Sequence, residues 1–496
     1  MSQAVAHRGP DGDGIWTSSG IGLAHRRLAI IDLSPEAAQP MHDALGKFTI
    51  VFNGEIYNYR DLRRELEGRG VKFRTQSDTE VILEAYRAWG IESFTRLRGM
   101  FAFAIWDASV RRLVLARDQI GKKPLFYAKT REGHLAFASE IKVLKGVVDL
   151  KPDWNAVRLF LGLQYVPSPL TGFDGVKQLV PGEVGIFDEK GWRTEKYHEW
   201  EVESRPACGT GSRQRREKSE SLQSQVERHA GSYDEHIRSL LDDAVKLRLL
   251  ASDVPVGAFL SGGIDSAAVV AFASKHVARP LQTFTMGFPS LAMDERREAR
   301  EIAEHFGTDH QEFEARPEHL QELAEELTVH YDAPYADSSA LPLWLLARET
   351  AKEIKVVLTG DGGDELFGGY RRYGAYEKAI ALAKIPFVSG ASLVARRSSL
   401  VAPNWRRFLE TVSAAHHDSA RADGELFCGA YFSTQRLHET FDPTFLAETE
   451  SADAVAFIAH TIGSAVGARR AVPLRDAMYF DLTSYLPDDL NVKMDR

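Results

Sequence analysis

Cysteine is almost missing from this chain: Cys208 and Cys428 are the only two in 496 residues. That excludes a disulfide framework and points to a reducing compartment, most simply the cytoplasm. No window reaches the roughly 18 uninterrupted apolar residues that a bilayer span needs, so no membrane partner is expected. No secretory leader is expected either, since residues 1–14 are polar and carry charges and a Gly-Pro turn. Basic residues are not in excess: 61 Lys and Arg face 70 Asp and Glu, for a net charge of −9. Such a balance argues against a nucleic-acid partner. Internal repeats are lacking as well. What is present is a 44% hydrophobic share, ample for a packed core, in a length suited to several domains of about 150 residues each.

The texture divides the chain at 1–202, 203–232 and 233–496. The first part is strand-rich, with apolar or alternating runs at 48–52, 101–106, 113–116 and 135–137 punctuated by Gly54, Asp107 and Gly133. A helix is signalled over 78–89, where Ser77 and Glu80 stand at capping-box spacing and Val81, Ile82, Ala85, Tyr86 and Trp89 make an apolar face. Sheets with separate helices predict an α+β domain. The middle part, rich in Ser, Gln, Arg and Glu, has too few apolar side chains to offset ordering entropy and reads as a polar linker. In the last part, apolar runs at 254–260, 281–288 and 355–359 alternate with helical stretches near 265–277, 294–306 and 337–353. That alternation predicts a doubly wound α/β parallel sheet, followed by a helical last hundred residues.

Ser261-Gly262-Gly263-Ile264-Asp265-Ser266 follows a buried-type strand and opens a helix. Paired glycines admit an anion close to the backbone, and the helix N-terminus directs free N–H groups at it. The hydroxyls of Ser261 and Ser266 are further donors, and Asp265 is a candidate cation ligand. A plainer reading is a tight strand-to-helix turn. A second loop, Gly360-Asp361-Gly362-Gly363-Asp364-Glu365, follows the strand at 356–359. Its acids would repel a phosphate unless a metal intervened. Asp265 and Asp364 both fall at carboxyl ends of expected parallel strands, where open α/β sheets bind ligands, and two carboxylates with phosphate oxygens are a usual Mg²⁺ set. Helix capping is the plainer reading for Asp361 and Asp364.

These two loops, with Leu366-Phe367-Gly368-Gly369-Tyr370 after the second, resemble the synthetase half of glutamine-hydrolysing asparagine synthetases, whose fold is that of N-type ATP pyrophosphatases. The resemblance implies adenylation of the aspartate β-carboxylate by ATP and displacement of AMP by ammonia. It implies Leu260, Met286, Thr359 and Gly360 beside the Ser261–Ser266 loop around ATP, Asp265 and Asp364 on Mg²⁺, and Asp361 in forming the adenylate. The segment Leu490-Asn491-Val492-Lys493-Met494-Asp495-Arg496 is similar to the family stretch whose lysine stabilises the charged transition state, which makes Lys493 the candidate. A core role for Met286 and a solvated one for Lys493 are the plainer readings.

In the first part, His7-Arg8-Gly9-Pro10-Asp11-Gly12, Arg27-Leu28-Ala29-Ile30-Ile31, Asn53-Gly54-Glu55-Ile56-Tyr57-Asn58 and Ser77-Asp78 resemble class II glutamine amidotransferase domains, with an incomplete Ntn-hydrolase-like αββα sandwich. The resemblance implies a glutamine pocket in which Arg27 pairs with the substrate carboxylate, Asp78 with its amine, and Asn53 and Gly54 form the oxyanion hole. Arg forks match carboxylates, and an amide beside a backbone N–H suits a tetrahedral oxyanion. A helix cap at Asp78 and a hairpin turn at Asn53-Gly54 are the local alternatives. The stretches 117–127 and 139–142 also look like that family and are expected to serve as scaffold and domain contact.

One departure stands out. Family members begin with a cysteine nucleophile a couple of dozen residues before the His-Arg-Gly-Pro-Asp-Gly stretch, and they continue past the last segment. The chain is therefore expected to be truncated at both ends and to use ammonia rather than glutamine. Neither Cys208 nor Cys428 is N-terminal, and Ser2 lacks a strand to place it. The implied partners are small molecules (aspartate, glutamine or ammonia, ATP), with a homodimer left open. The rival expectations are a β-lactam-synthetase-like or polysaccharide-modifying ligase acting on another carboxylate, and a non-catalytic fragment that binds nucleotide or a partner.

Overall fold

The structure, a computed structural model, describes residues 1–200, 233–288, 294–315, 317–385, 412, 434–466 and 473–495. The expected linker at 203–232 and both cysteines lie outside the described residues.

The first-half strands are β1 (Gly12–Ser18), β2 (Ile21–Arg27), β3 (Met41–His42), β4 (Phe48–Ile56), β5 (Gly99–Asp107) and β6 (Arg112–Arg117). They continue with β7 (Phe126–Lys129), β8 (Leu135–Ala138), β9 (Val176–Gln178), β10 (Glu183–Asp188) and β11 (Gly191–Lys196). A six-stranded sheet runs β11-β10-β6-β5-β4-β3, and a three-stranded sheet runs β8-β7-β9, beside the β1-β2 hairpin. The unbroken apolar run of β5 is explained by burial on both faces. Phe101, Phe103 and Ile105 pack with helices α1 (Tyr59–Gly68) and α2 (Asp78–Trp89). Ala102, Ala104 and Trp106 pack against Leu23 of β2, Leu125 and Leu179. The outer face of the three-stranded sheet is covered by Ile141, Val143 and Leu144 of a 3₁₀ segment. The layers are thus helix, sheet, sheet and a reduced helical layer.

Two local expectations change. Ser77 does cap α2, accepting from Thr79 N at 3.1 Å, but Glu80 does not complete a capping box. Its carboxylate takes the N–H groups of Arg74 and Thr75 and the Thr75 hydroxyl instead. Asn53-Gly54 is not a hairpin turn: both residues lie inside β4, paired with Ala102 and Phe101 of β5. A Cβ on Gly54 would stand 2.0 Å from Met100 O, so the strands meet there too closely for any side chain.

In the second half β12 (Val256–Phe259), β13 (Gln282–Gly287), β14 (Asp309–Glu314) and β15 (Val356–Leu358) form an all-parallel sheet in the order β14-β13-β12-β15. Helix α3 (Trp154–Leu163) lies in the first half, before β9, and this half carries α4 (Tyr233–Ala251), α5 (Ile264–His276), α6 (Arg296–Phe306), α7 (Pro317–Tyr331) and α8 (Ala340–Thr350). Val245, Val270, Ala273, Ala299 and Ala303 of α4, α5 and α6 cover Ala258, Leu260 and Leu358. On the opposite face Leu346 of α8 packs with Phe284, Phe259 and Val357. The sheet is doubly covered, as its apolar strands require. Then follow α9 (Gly363–Phe367), α10 (Arg371–Ala383), α11 (Thr434–Thr440), α12 (Pro443–Glu448), α13 (Ala454–Val466), α14 (Pro473–Phe480), a π-helix (Asp481–Leu490) and α15 (Asn491–Asp495). Among the described residues no helix is long and apolar enough to cross a membrane.

The halves meet through an apolar cluster of Leu159, Leu163 and Tyr165 with Ile458, Ile462 and Phe480 and through polar contacts. Asp253 N donates to Ile30 O at 3.0 Å, Asp32 N donates to the Asp253 carboxylate at 2.8 Å, and Lys355 pairs with Asp11 at 2.7 Å. Within the stretch 117–127, expected as scaffold and domain contact, Ile120 O accepts from Asn491 Nδ2 at 2.8 Å, and the segment is bonded closely to its own half. Asp118, fully buried, accepts from Phe101, Ile120, Lys122 and Lys123 N–H groups. Arg117, 1% exposed, donates to the carbonyls of Lys123, Leu179 and Gly121.

Candidate active site

The strand order reverses direction between β12 and β15, because β13 and β14 lie to one side of β12 and β15 to the other. The crevice beyond the carboxyl ends of such a pair is where α/β sheets bind ligands. Leu260, buried and bonded through its N–H to Phe284 O at 2.9 Å, leads from β12 into the Ser261–Ser266 loop. Thr359 leads from β15 into Gly360 and Asp361. The two loops pack tightly. A Cβ on Gly360 would stand 2.8 Å from Ser266 N, and one on Gly363 would stand 2.4 Å from Asp265 Cγ. Glycine at both places lets the Asp361–Asp364 turn lie directly on the Asp265 carboxylate.

That contact crowds negative charge. Burial, then repulsion from Asp364 and Asp361, pushes the Asp265 carboxyl above its ordinary value. Above it, α5 starts at Gly263 with no side-chain cap, so its first N–H groups remain for an anion. The hydroxyls of Ser261 and Ser266 are not free donors. Ser266 Oγ accepts from Ser261 N at 3.1 Å and lies 2.9 Å from Ser261 Oγ, which accepts from Gly263 N at 3.1 Å. These bonds fold the loop. Met286, near the end of β13, packs against the apolar clusters around Phe284 and Leu345.

Lys493 is not among these acids. Its ammonium donates to Asp337 at 3.0 Å and to Ser339 Oγ at 2.9 Å. Burial opposes ionisation of Asp337, but Lys493 and the Ser339 donors outweigh it and hold that carboxyl below its ordinary value. A solvated lysine is excluded, since the Lys493 side chain is 11% exposed.

In the first half, Arg27, Leu28, Ile30, Ile31, Asn53, Gly54, Glu55 and Asp78 line one cavity of about 1340 Å³. Ala29 is not on its wall; its N–H is taken by Asp11 at 2.8 Å. The Arg27 guanidinium is steadied by the carbonyls of Ser34 and Asp32. Asn53 Nδ2 is buried with no hydrogen-bond partner among the described residues, a costly state for a donor unless a ligand completes it. Asp78 accepts from Ile56 N at 2.9 Å, and burial, reinforced by nearby Glu55, pushes its carboxyl up to about 7. Burial likewise raises Glu55. The cavity wall continues to Lys493, Met494 and Asp495 of α15.

Several residues that matter here carried no local signal. Asp32 joins the Arg27–Ile31 segment to α2 by accepting from Gln76 N at 2.6 Å. Glu295 accepts from Gly262 N at 3.3 Å, and Glu298 packs on the same glycine. Lys122 lies between the halves: burial and Arg248 bring its ammonium down to about 8, against the pull of Asp118 and Asp361. Only the resemblance of the Arg8 and Lys123 segments to a family pointed toward those two positions.

A profile of the glutamine amidotransferase domain matches residues 1–198, and one of asparagine synthase matches residues 236–496. Asparagine synthetase [glutamine-hydrolyzing] 1 of Bacillus subtilis is 32% identical over 99% of this chain and 78% of its own length. A putative asparagine synthetase [glutamine-hydrolyzing] of Mycobacterium bovis is 40% identical over 75% of this chain, and asparagine synthetase [glutamine-hydrolyzing] 3 of B. subtilis is 36% identical over 75%. The chain spans 56% and 59% of the length of those last two relatives. With the asparagine synthase profile covering more than half of the chain and a relative aligned along nearly all of it, the chain belongs to the asparagine synthetase family.

Proposed function

We propose that this chain is an ATP-dependent amide ligase that adenylates the side-chain carboxylate of aspartate and passes the acyl group to ammonia, giving asparagine, AMP and pyrophosphate. The observation that carries this reading is the meeting of Asp265 with the Asp361–Asp364 turn under an uncapped helix N-terminus at the reversal of the sheet. A carboxylate is a poor electrophile until one oxygen becomes a good leaving group, and adenylation supplies that. The open N–H groups of α5 carry the triphosphate, and Leu260, Met286, Thr359 and Gly360 border the nucleotide. Asp361 serves the adenylation step, and Lys493 answers the charge that develops in it.

Among the described residues no three His, Cys, Asp or Glu side chains converge as a metal cage. A two-carboxylate set nevertheless fits Mg²⁺, which keeps phosphate oxygens and water as its other ligands, and the repulsion felt at Asp265 is what such a cation would relieve. Asp265 and Asp364 would hold it, and when bound it neutralises phosphate charge. On the other side, Arg27 pairs with the carboxylate of glutamine and Asp78 with its ammonium, while Asn53 Nδ2 and the Gly54 N–H donate to the oxygen of its side-chain amide. The unpartnered Nδ2 supports that role. The low cysteine count supports a cytoplasmic setting.

Isotope exchange between pyrophosphate and ATP tests the reading. Exchange that requires aspartate is expected. Exchange that requires a different carboxylic acid moves the chain to another amide-forming ligase, and no exchange with any acid leaves a nucleotide- or partner-binding protein.

A further inference from the structure

Helix α15 is the last turn of a continuous helical run that comes from α14 through the π-helix, and it is pinned from both sides. Asn491 Nδ2 donates to Ile120 O at 2.8 Å. Asp495 accepts from Arg8 Nη2 at 2.7 Å and from Lys123 Nζ at 2.9 Å, one to each carboxylate oxygen. Arg8 Nη1 also donates to the Asp495 backbone carbonyl at 3.3 Å. Positions 491 and 495, four apart, share a helix face, whereas position 493 points away from it. The face carrying Asn491 and Asp495 meets the first half of the chain, and Lys493 is turned to Asp337 and Ser339 in the second.

The pin is shielded and itself braced. The Asp495 side chain is 3% exposed and those of Arg8 and Lys123 are 14% and 17%, so solvent screening is weak. Arg8 is further fixed by fully buried Glu140 at 3.2 Å, which also takes Lys142 at 2.9 Å. Lys142 reaches across to the carbonyls of Val329 and His330.

We infer that Arg8 and Lys123 are positioning residues of the synthetase site: by gripping both oxygens of Asp495 they set the rotation and height of α15, and with it the Lys493 ammonium. Neither residue bonds to Asp337 or Ser339, so their influence passes through the helix. The inference rests on the proposed role of Lys493.

The test compares Arg8→Gln, Asp495→Asn, their double variant and Lys493→Met in the whole chain. It reads aspartate-dependent pyrophosphate–ATP exchange and amide hydrogen exchange of the segment 490–496. Arg8→Gln and Asp495→Asn are each expected to lower kcat about 10- to 100-fold, the usual effect of a misplacement near 1 Å, with KM for ATP held within about twofold. The double variant is expected to be no worse than either single one. Arg8→Lys, which keeps charge and reach, should recover part of the loss. Hydrogen exchange in 490–496 should rise in Arg8→Gln and Asp495→Asn. If Lys493→Met retains full exchange activity, the reading of Lys493 fails and this inference with it. If Lys493→Met is inactive while Arg8→Gln and Asp495→Asn keep kcat, the inference alone fails. Unchanged hydrogen exchange in 490–496 overturns it even without any catalytic measurement. Should Arg8→Gln not fold, Asp495→Asn and Arg8→Lys carry the same comparison.

Discussion

Asp78 and Asp265 are both carboxylates whose protons are held more tightly than usual, but for different reasons. Asp78 is raised chiefly by burial in a completed wall, with Ile56 N already bonded to it. Asp265 is raised by burial together with Asp364 and Asp361 packed beside it. On the function proposed above, the first is a pocket shaped in advance for a cation-bearing ligand. The second is a cluster of like charge that only bound positive charge, or a phosphate bridged by it, makes favourable. One site is assembled by packing, the other by electrostatic demand.

The hardest blow to that contrast would be a mild result at the acidic turn. Asp361→Asn and Asp265→Asn are each expected to cut pyrophosphate–ATP exchange about 100-fold or more, while glutamine binding measured by calorimetry stays unchanged. Gly363→Ala comes next. Its methyl would meet the Asp265 carboxylate at 2.4 Å, so exchange should fall at least about tenfold with little change in Tm.

On the packed side the expected signature is pH dependence. A carboxyl with a folded-state value of about 7 against 3.8 for the free group leaves the folded chain holding an extra proton between those limits. The stability it contributes is therefore full at low pH and lost as pH rises from about 4 to about 7. Asp78→Asn should lack that slope, so the difference in Tm between variant and parent should change with pH over the same interval. Because an ammonium pairs with the ionised acid, glutamine affinity in the parent should rise as pH passes through 7. The smallest effect is Ser77→Ala, which removes the cap of α2 and should cost about 1 kcal/mol in denaturant unfolding of the first half, without touching exchange.

Sequence reading reached far where the pattern is local. The double glycine after 256–260 and the acids after 356–359 announced the loops, and strand–helix alternation announced the parallel sheet. It failed where partners are remote. Asn53-Gly54 has the composition of a turn, and only pairing with β5 across the sheet makes it strand. Ser261 and Ser266 carry hydroxyls suited to phosphate, and their 2.9 Å contact with each other inside the loop was not foreseen. Nothing near Lys493 foretells Asp337, which lies 156 positions earlier. Such contacts depend on how whole layers stack, and periodicity in a short window holds no trace of that.

The pair Arg117 and Asp118 leads to one last consequence. Between them they bond the carbonyls of Gly121 and Lys123 and the amides of Ile120, Lys122 and Lys123. A segment held at so many points is a poor place for a hinge. It travels as a stiff wedge with the first-half sheet, so any rocking of one half against the other must bend the chain elsewhere or break these bonds together.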